Sequence, residues 1–195
     1  MHVLNDSAPE GKELKYARHE RERRFLLARP PAGSSVRTVV ITDRYHIGTR
    51  IRLRRATGPA GSGEYAVYKL TQKIPGRDGG PGLITTMYLT ADEYRALERL
   101  PAAVLTKTRL SMPPLGVDLF EGALDGLVLA EAEFSNDDAM ANFTAPSAVV
   151  AEVTCDHRFT EGHLATAARG AIASALADYG ITMVEGEGAG ETDHS

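Results

Sequence analysis

Apolar residues return at every second position along most of this chain, the period of a strand with one face turned toward a core. The segments that carry this alternation are rich in Val, Ile, Thr, Tyr and Leu, and span roughly 18–28, 36–42, 47–55, 64–73, 83–89, 104–111, 115–121, 126–134 and 149–154. They predict eight or nine strands. Helical period appears in three places only. Thr90-Ala91-Asp92-Glu93 reads as a capping box that opens a helix through Leu97 and Leu100, with Pro101 placed to stop it. Ser135-Asn136-Asp137-Asp138 can cap a short helix ending near Asn142. From about Glu161, apolar residues at Leu164, Ala168, Ala171, Ile172, Ala175 and Leu176 predict a third helix, closed by Gly180. Many short strands with few helices predict an α+β fold on an antiparallel sheet or barrel.

The polar halves of these strands are unusual. Glu20, Glu22 and Arg24 occupy alternate positions, as do Arg50, Arg52 and Arg54, then Lys69 with Thr71 and Lys73, then Lys107 with Arg109, then Glu131 with Glu133. Side chains two apart on a strand share a face, so each segment presents two or three neighbouring charges, mostly of one sign. An ordinary half-solvated sheet also alternates apolar with polar, but like charges side by side repel, and wet faces mix signs. The sorted pattern requires compensation, and ligands supply it. Clustered carboxylates are hard oxygen ligands suited to Mg²⁺ or Mn²⁺. The basic sets match the oxygens of a polyanion, with arginine offering a planar fork and lysine a point charge.

Composition narrows the classes. The 195 residues, 43% hydrophobic, suffice for one domain with its own core. We read 1–15 and 184–195, polar and without period, as disordered extensions, the second acidic, and 16–183 as the folded domain. Twenty-two basic against 26 acidic residues give a net charge of −4. The sequence pI of about 5.9 argues against non-specific nucleic-acid binding. The lone Cys155 has no internal disulfide partner, and neither a leader-like apolar run nor a membrane span is evident. The expectation is a cytoplasmic protein with no nucleic-acid or membrane partner, and a homodimer is compatible with the sequence. Two glycine-rich stretches, 58–63 and 75–82, read as long loops. The second has no GK[ST] ending and is not a Walker A loop.

With those residues in view, the chain resembles the CYTH domain, or triphosphate tunnel metalloenzyme, family, and in particular its short bacterial tripolyphosphatase-like members. The family hallmark is an ExExK strand near the N-terminus, matched here by Glu20-Arg21-Glu22-Arg23-Arg24. The resemblance runs on through Tyr45, Arg50 to Arg54, Tyr68-Lys69-Leu70-Thr71, Leu105 to Arg109, Val117 to Gly122, Leu127 to Phe134 and Glu152 to Phe159. It implies an eight-stranded antiparallel β-barrel, a tunnel with a few flanking helices, binding triphosphate substrates with Mg²⁺ or Mn²⁺. By position, Glu20, Glu22, Glu131 and Glu133 match the family's metal ligands, with Asp118 as a further ligand or an orienting group. Arg24, Arg52, Arg54, Lys69, Lys107 and Arg109 match phosphate binders, and Arg50 and Lys73 share their faces. The catalytic set would be Glu20, Glu22, Arg24, Glu131 and Glu133, with a metal-oriented water attacking the terminal phosphoryl group.

Two departures stand out. Arg24 replaces the family's lysine and keeps the charge, but it cannot give up its proton. His157 stands where many members carry a lysine, and is either a tunnel group or a surface one. The reading that follows is an inorganic tripolyphosphatase. A class IV adenylyl cyclase, a thiamine triphosphatase and a non-catalytic polyphosphate-binding module are the alternatives. The His-Phe pair of some cyclase members is absent where Gly11-Lys12 would align, and the chain has no tryptophan for an aromatic platform. For Tyr45, Tyr65 and Tyr68, packing is the expected role.

Overall fold

The computed structural model describes residues 14–59, 61–62, 66–76 and 82–183. Its strands are β1 Arg18–Glu20, β2 Glu22–Leu27, β3 Arg37–His46, β4 Ile51–Thr57, β5 Val67–Ile74, β6 Gly82–Leu89, β7 Ala102–Met112, β8 Leu115–Phe120, β9 Val128–Glu133 and β10 Val149–Glu152. The helices are α1 Ala91–Leu97, α2 Asp137–Ala141, α3 Glu161–Leu164 and α4 Arg169–Ala177. All strands join one sheet in the order β1-β6-β5-β4-β3-β7-β8-β9-β2-β10, and every pair is antiparallel. The assumed disordered ends lie outside the described residues, apart from Leu14 and Lys15, as do Tyr65, two residues of the stretch 58–63 and most of the stretch 75–82.

The hydrogen-bonded ladder therefore has ten strands and does not close, in place of the expected eight-stranded barrel. The difference arises at Arg21. Its carbonyl accepts the Phe134 N–H at 2.9 Å and its guanidinium reaches Asp137 at 2.6 Å, so the expected strand 18–28 is divided into β1 and β2. β1 pairs with β6 and β2 pairs with β9, so two consecutive segments of chain meet opposite ends of the β6-to-β9 array. β10 then adds to the free edge of β2.

Strand alternation sets two faces. Phe25 and Leu27 enter an apolar cluster with Val117, Val128, Ala130 and Ala132, which Phe134, Phe143 and Val149 cover. Leu26, between them, enters the other cluster with Leu105, Phe120 and Leu129. Phe159, Leu164, Ile172 and Leu176 complete that second cluster and tie the C-terminal helices to the sheet. Truncating a fully buried anchor such as Phe159 to alanine costs about 3–5 kcal/mol. Glu22 and Arg24 share the face of Leu26, and this apolar register is what fixes their direction.

The other departures are local. β3 runs on to His46, and a turn with Gly48 at φ +71° precedes β4, so Arg50 lies in the turn and not on the strand. α1 has both halves of its capping box, and α2 is capped by Asn136, whose side chain accepts the Ala139 N–H. The third helix is broken. Ala168 is extended, with φ −74° and ψ 143°, which divides α3 from α4 and lets Leu164 and Ile172 both reach the core while Ala168 and Ala171 stay exposed. Gly180 takes φ +70°, as a left-handed helix terminator does. Among the described residues, no helix is long and apolar enough to cross a membrane.

Candidate functional site

The face that Leu26 shares leads from apolar core into charge within two residues. A cavity of about 180 Å³ is lined there by Glu20 and Glu22 from the first two strands, Arg52 and Arg54 from β4, Lys69, Thr71 and Lys73 from β5, and Ile84 and Thr86 from β6. Arg109 from β7, Glu131 and Glu133 from β9, and Glu161 from α3 complete it. An adjoining space of about 410 Å³ shares Glu20, Glu22, Arg52, Lys73 and Glu161, and adds Arg24, Tyr45 and Arg50.

At the base the charges satisfy one another. Lys107 has no exposed surface, and its ammonium donates to Asp118 and Glu161. Burial alone would lower its pKa, but these two carboxylates raise it, so Lys107 is held as a cation. Arg109 forks onto Asp118 with two bonds of 2.6 Å and also reaches Glu131. Arg54 forks in the same way onto Asp43, again with two bonds of 2.6 Å. Glu161 accepts from Arg52 at 2.9 Å and from the Tyr45 hydroxyl at 2.8 Å. Burial pushes Tyr45 well above its ordinary pKa, with Glu161 and Asp43 adding to the effect, so it stays a phenol and a donor.

Nearer the opening the balance is incomplete. Glu22 accepts from Arg24 at 2.6 Å, yet its pKa is raised by burial and then by the charge of Glu131. Burial also pushes Glu131 upward, but Arg109, Lys107 and Arg24 outweigh it and hold its carboxyl down to about 2. Arg24 is 7% exposed, and its Nε and Nη1, like Nε of Arg52, have no hydrogen-bond partner. Two of these face carboxylates just beyond hydrogen-bond reach, Arg24 Nε at 3.6 Å from Glu131 and Arg52 Nε at 3.7 Å from Asp43, which leaves Arg24 Nη1 as the buried donor that an anion would satisfy. Lys73 pairs with Glu20 at 2.6 Å. Lys69 lies over the Tyr88 ring at 5.2 Å, and among the described residues neither it nor Glu133 is joined to an oppositely charged group.

The structure thus brings Glu20, Glu22, Arg52, Arg54, Lys69, Lys73, Arg109, Glu131 and Glu133 to one cavity, with Arg24 and Arg50 beside it. Lys107 and Asp118 are placed beneath it, paired with each other, and do not line it. His157 is exposed and packs edge-on against His163, with ring centroids 5.5 Å apart. Cys155 is exposed with a free thiol. Two acids were not anticipated. Asp43 would have stood out had β3 been extended past residue 42, because Ile41, Asp43 and Tyr45 then share a face. Glu161, at the first turn of a helix, gave no signal, since an acid there reads as an ordinary favourable charge at a helix start.

Asp118, Glu131 and Glu161 offer carboxylate oxygens within 4.8 Å of one another, and such a cluster can hold a metal ion. Its members already bond Lys107 and Arg109, so an ion there must displace those cations. Among the described residues this is the one such cluster; Glu20, Glu22 and Glu133 line the same cavity outside it.

No family model matches the chain, and no curated protein does. Two solved structures of the protein NE1496 resemble it. One, presented as a hypothetical protein, is 27% identical with a TM-score of 0.51, covering 76% of this chain and 99% of that one. The other, presented as the inorganic triphosphatase NE1496, is 26% identical with a TM-score of 0.50, covering 76% and 95%.

Proposed function

We propose that this chain is a divalent-metal-dependent hydrolase of triphosphate substrates, inorganic tripolyphosphate foremost. The observation that carries the reading is the cavity itself, where carboxylates from the first two strands and β9 face cations from β4, β5 and β7. The buried Nη1 of Arg24, without a hydrogen-bond partner, supports an anionic ligand. The likeness to an inorganic triphosphatase supports the reaction class.

In this reading β1 and β2 act as one strand that closes β6 against β9, giving eight strands around a tunnel, with β10 appended outside. One domain spans 16–183. Glu20, Glu22, Glu131 and Glu133 would hold Mg²⁺ or Mn²⁺, which when bound neutralises phosphate charge and lowers the pKa of a coordinated water. Lys69, Lys73, Arg24, Arg50, Arg52, Arg54 and Arg109 hold the phosphate oxygens, and Lys107 with Asp118 fixes Arg109 beneath them. These side chains do their work by positioning and by neutralising charge, because phosphoryl transfer asks little covalent chemistry of the protein. Arg24 remains a cation throughout, so it orients and neutralises and does not accept a proton.

The test is to incubate the protein with tripolyphosphate, ATP or thiamine triphosphate and Mg²⁺ or Mn²⁺, assaying phosphate, pyrophosphate and cyclic AMP separately. Metal-dependent phosphate release from tripolyphosphate that Glu22→Ala abolishes supports the proposal. Cyclic AMP from ATP would replace it with a cyclase, and tight binding without turnover would replace it with a polyphosphate-binding module.

A further inference from the structure

The base of the cavity holds an anion that belongs to the protein. Donors from three strands end on the carboxylate of Glu161: the Tyr45 hydroxyl of β3, the guanidinium groups of Arg52 and Arg54 on β4, and the Lys107 ammonium of β7. Three cations and a hydroxyl around two oxygens form a cradle for an oxyanion, the kind of group a terminal phosphoryl offers. The carboxylate enters from outside the sheet on α3, a helix of four residues anchored by Leu164 in the apolar cluster. Glu161 also lines the floor of the cavity, so a polyanion entering it meets a negative charge where those cations would otherwise bind.

Resting on the proposed triphosphate reading, we infer that Glu161 is a specificity-determining residue. It occupies the deepest anion subsite and so limits how many phosphoryl groups the cavity rewards with binding. With Glu161 in place, Arg52 and Arg54 reach a ligand only in competition with its carboxylate. Neutralising Glu161 without changing its size frees Arg52, whose closest acid it is, and removes a negative charge from beside Arg54 and Lys107, which keep Asp43 and Asp118, so an extra phosphoryl group meets a net positive base.

The experiment is calorimetric titration of the wild-type protein and Glu161→Gln with pyrophosphate, tripolyphosphate and tetraphosphate at fixed Mg²⁺ and salt. For the wild type, affinity is expected to rise from pyrophosphate to tripolyphosphate and to change by less than about threefold with a fourth phosphoryl group. In Glu161→Gln the ratio of tetraphosphate to tripolyphosphate affinity is expected to rise at least about tenfold, a fraction of what one unit charge at contact distance and intermediate dielectric is worth. An unchanged or lower ratio in the variant overturns the inference and leaves the triphosphate reading standing. If the variant does not fold, the wild-type profile decides alone, since a tenfold gain from the fourth phosphoryl group overturns it equally. Absence of tripolyphosphate binding by the wild type overturns both.

Discussion

The base and the mouth of the cavity are built from the same residue types and differ in whether their charges are already satisfied. At the base, Asp43, Lys107, Asp118 and Glu161 are buried and bonded to opposite charges, with forked arginine bonds of 2.6 Å. At the mouth, Glu22 and Glu131 repel each other, Glu133 is exposed, and among the described residues Lys69 meets the Tyr88 ring and no carboxylate. A saturated network is rigid and expensive to break, because removing one partner strands the other in low dielectric. An unsaturated one holds unspent attraction for a ligand. In the proposed reading the base serves as scaffold and the mouth as binding site.

Four variants break or sharpen this comparison. The largest effect is expected from Asp118→Ala, which takes one of two carboxylate partners from both Lys107 and Arg109 and should cost about 3–5 kcal/mol in urea unfolding. Glu22→Gln should cost little stability, since it relieves repulsion with Glu131, but should lower metal-dependent turnover by about 10²–10³-fold, comparable to the loss of one transition-state charge contact. If Glu22→Gln instead unfolds the protein while Asp118→Ala is benign, the two regions have been assigned the wrong way round. Lys69→Ala should weaken tripolyphosphate binding about tenfold with stability nearly unchanged, as expected for one charge-assisted phosphate contact.

The smallest effect lies outside the cavity. Arg158 hydrogen-bonds Asp156 and holds its carboxyl down to about 2, and the Tyr179 hydroxyl donates to the same group at 2.9 Å. A depressed carboxylate pKa contributes stability that is fully present above the unfolded value, and is lost as pH falls from there through about 2. Asp156→Asn should therefore cost about 1 kcal/mol at neutral pH after allowance for solvent screening, and the gap from wild type should close between about pH 4 and 2.

Much of the cavity was legible because like charges at even spacing announce a shared face: Arg52 with Arg54, Glu131 with Glu133, and Lys69 with Lys73 four residues on. The first strand was harder. Arg21 and Arg23 put charge on its other face as well, and only Phe25 and Leu27 against Leu26 settle which side is which. The base was largely hidden. Asp43 and Glu161 are single acids without periodic neighbours, and their roles depend on strands and a helix distant in sequence. The break at Arg21, made by tertiary bonds to Phe134 and Asp137, has no local signature, so the ten-strand ladder could not be read from residues 18–28.

The most direct test of the central claim is anomalous diffraction from crystals of the protein soaked with Mn²⁺ and tripolyphosphate. The account predicts a manganese peak in coordination contact with Glu22, Glu131 or Glu133, and phosphate density reaching Lys69 and Arg24. Manganese confined to the outer surface, with the cavity free of phosphate, would contradict it.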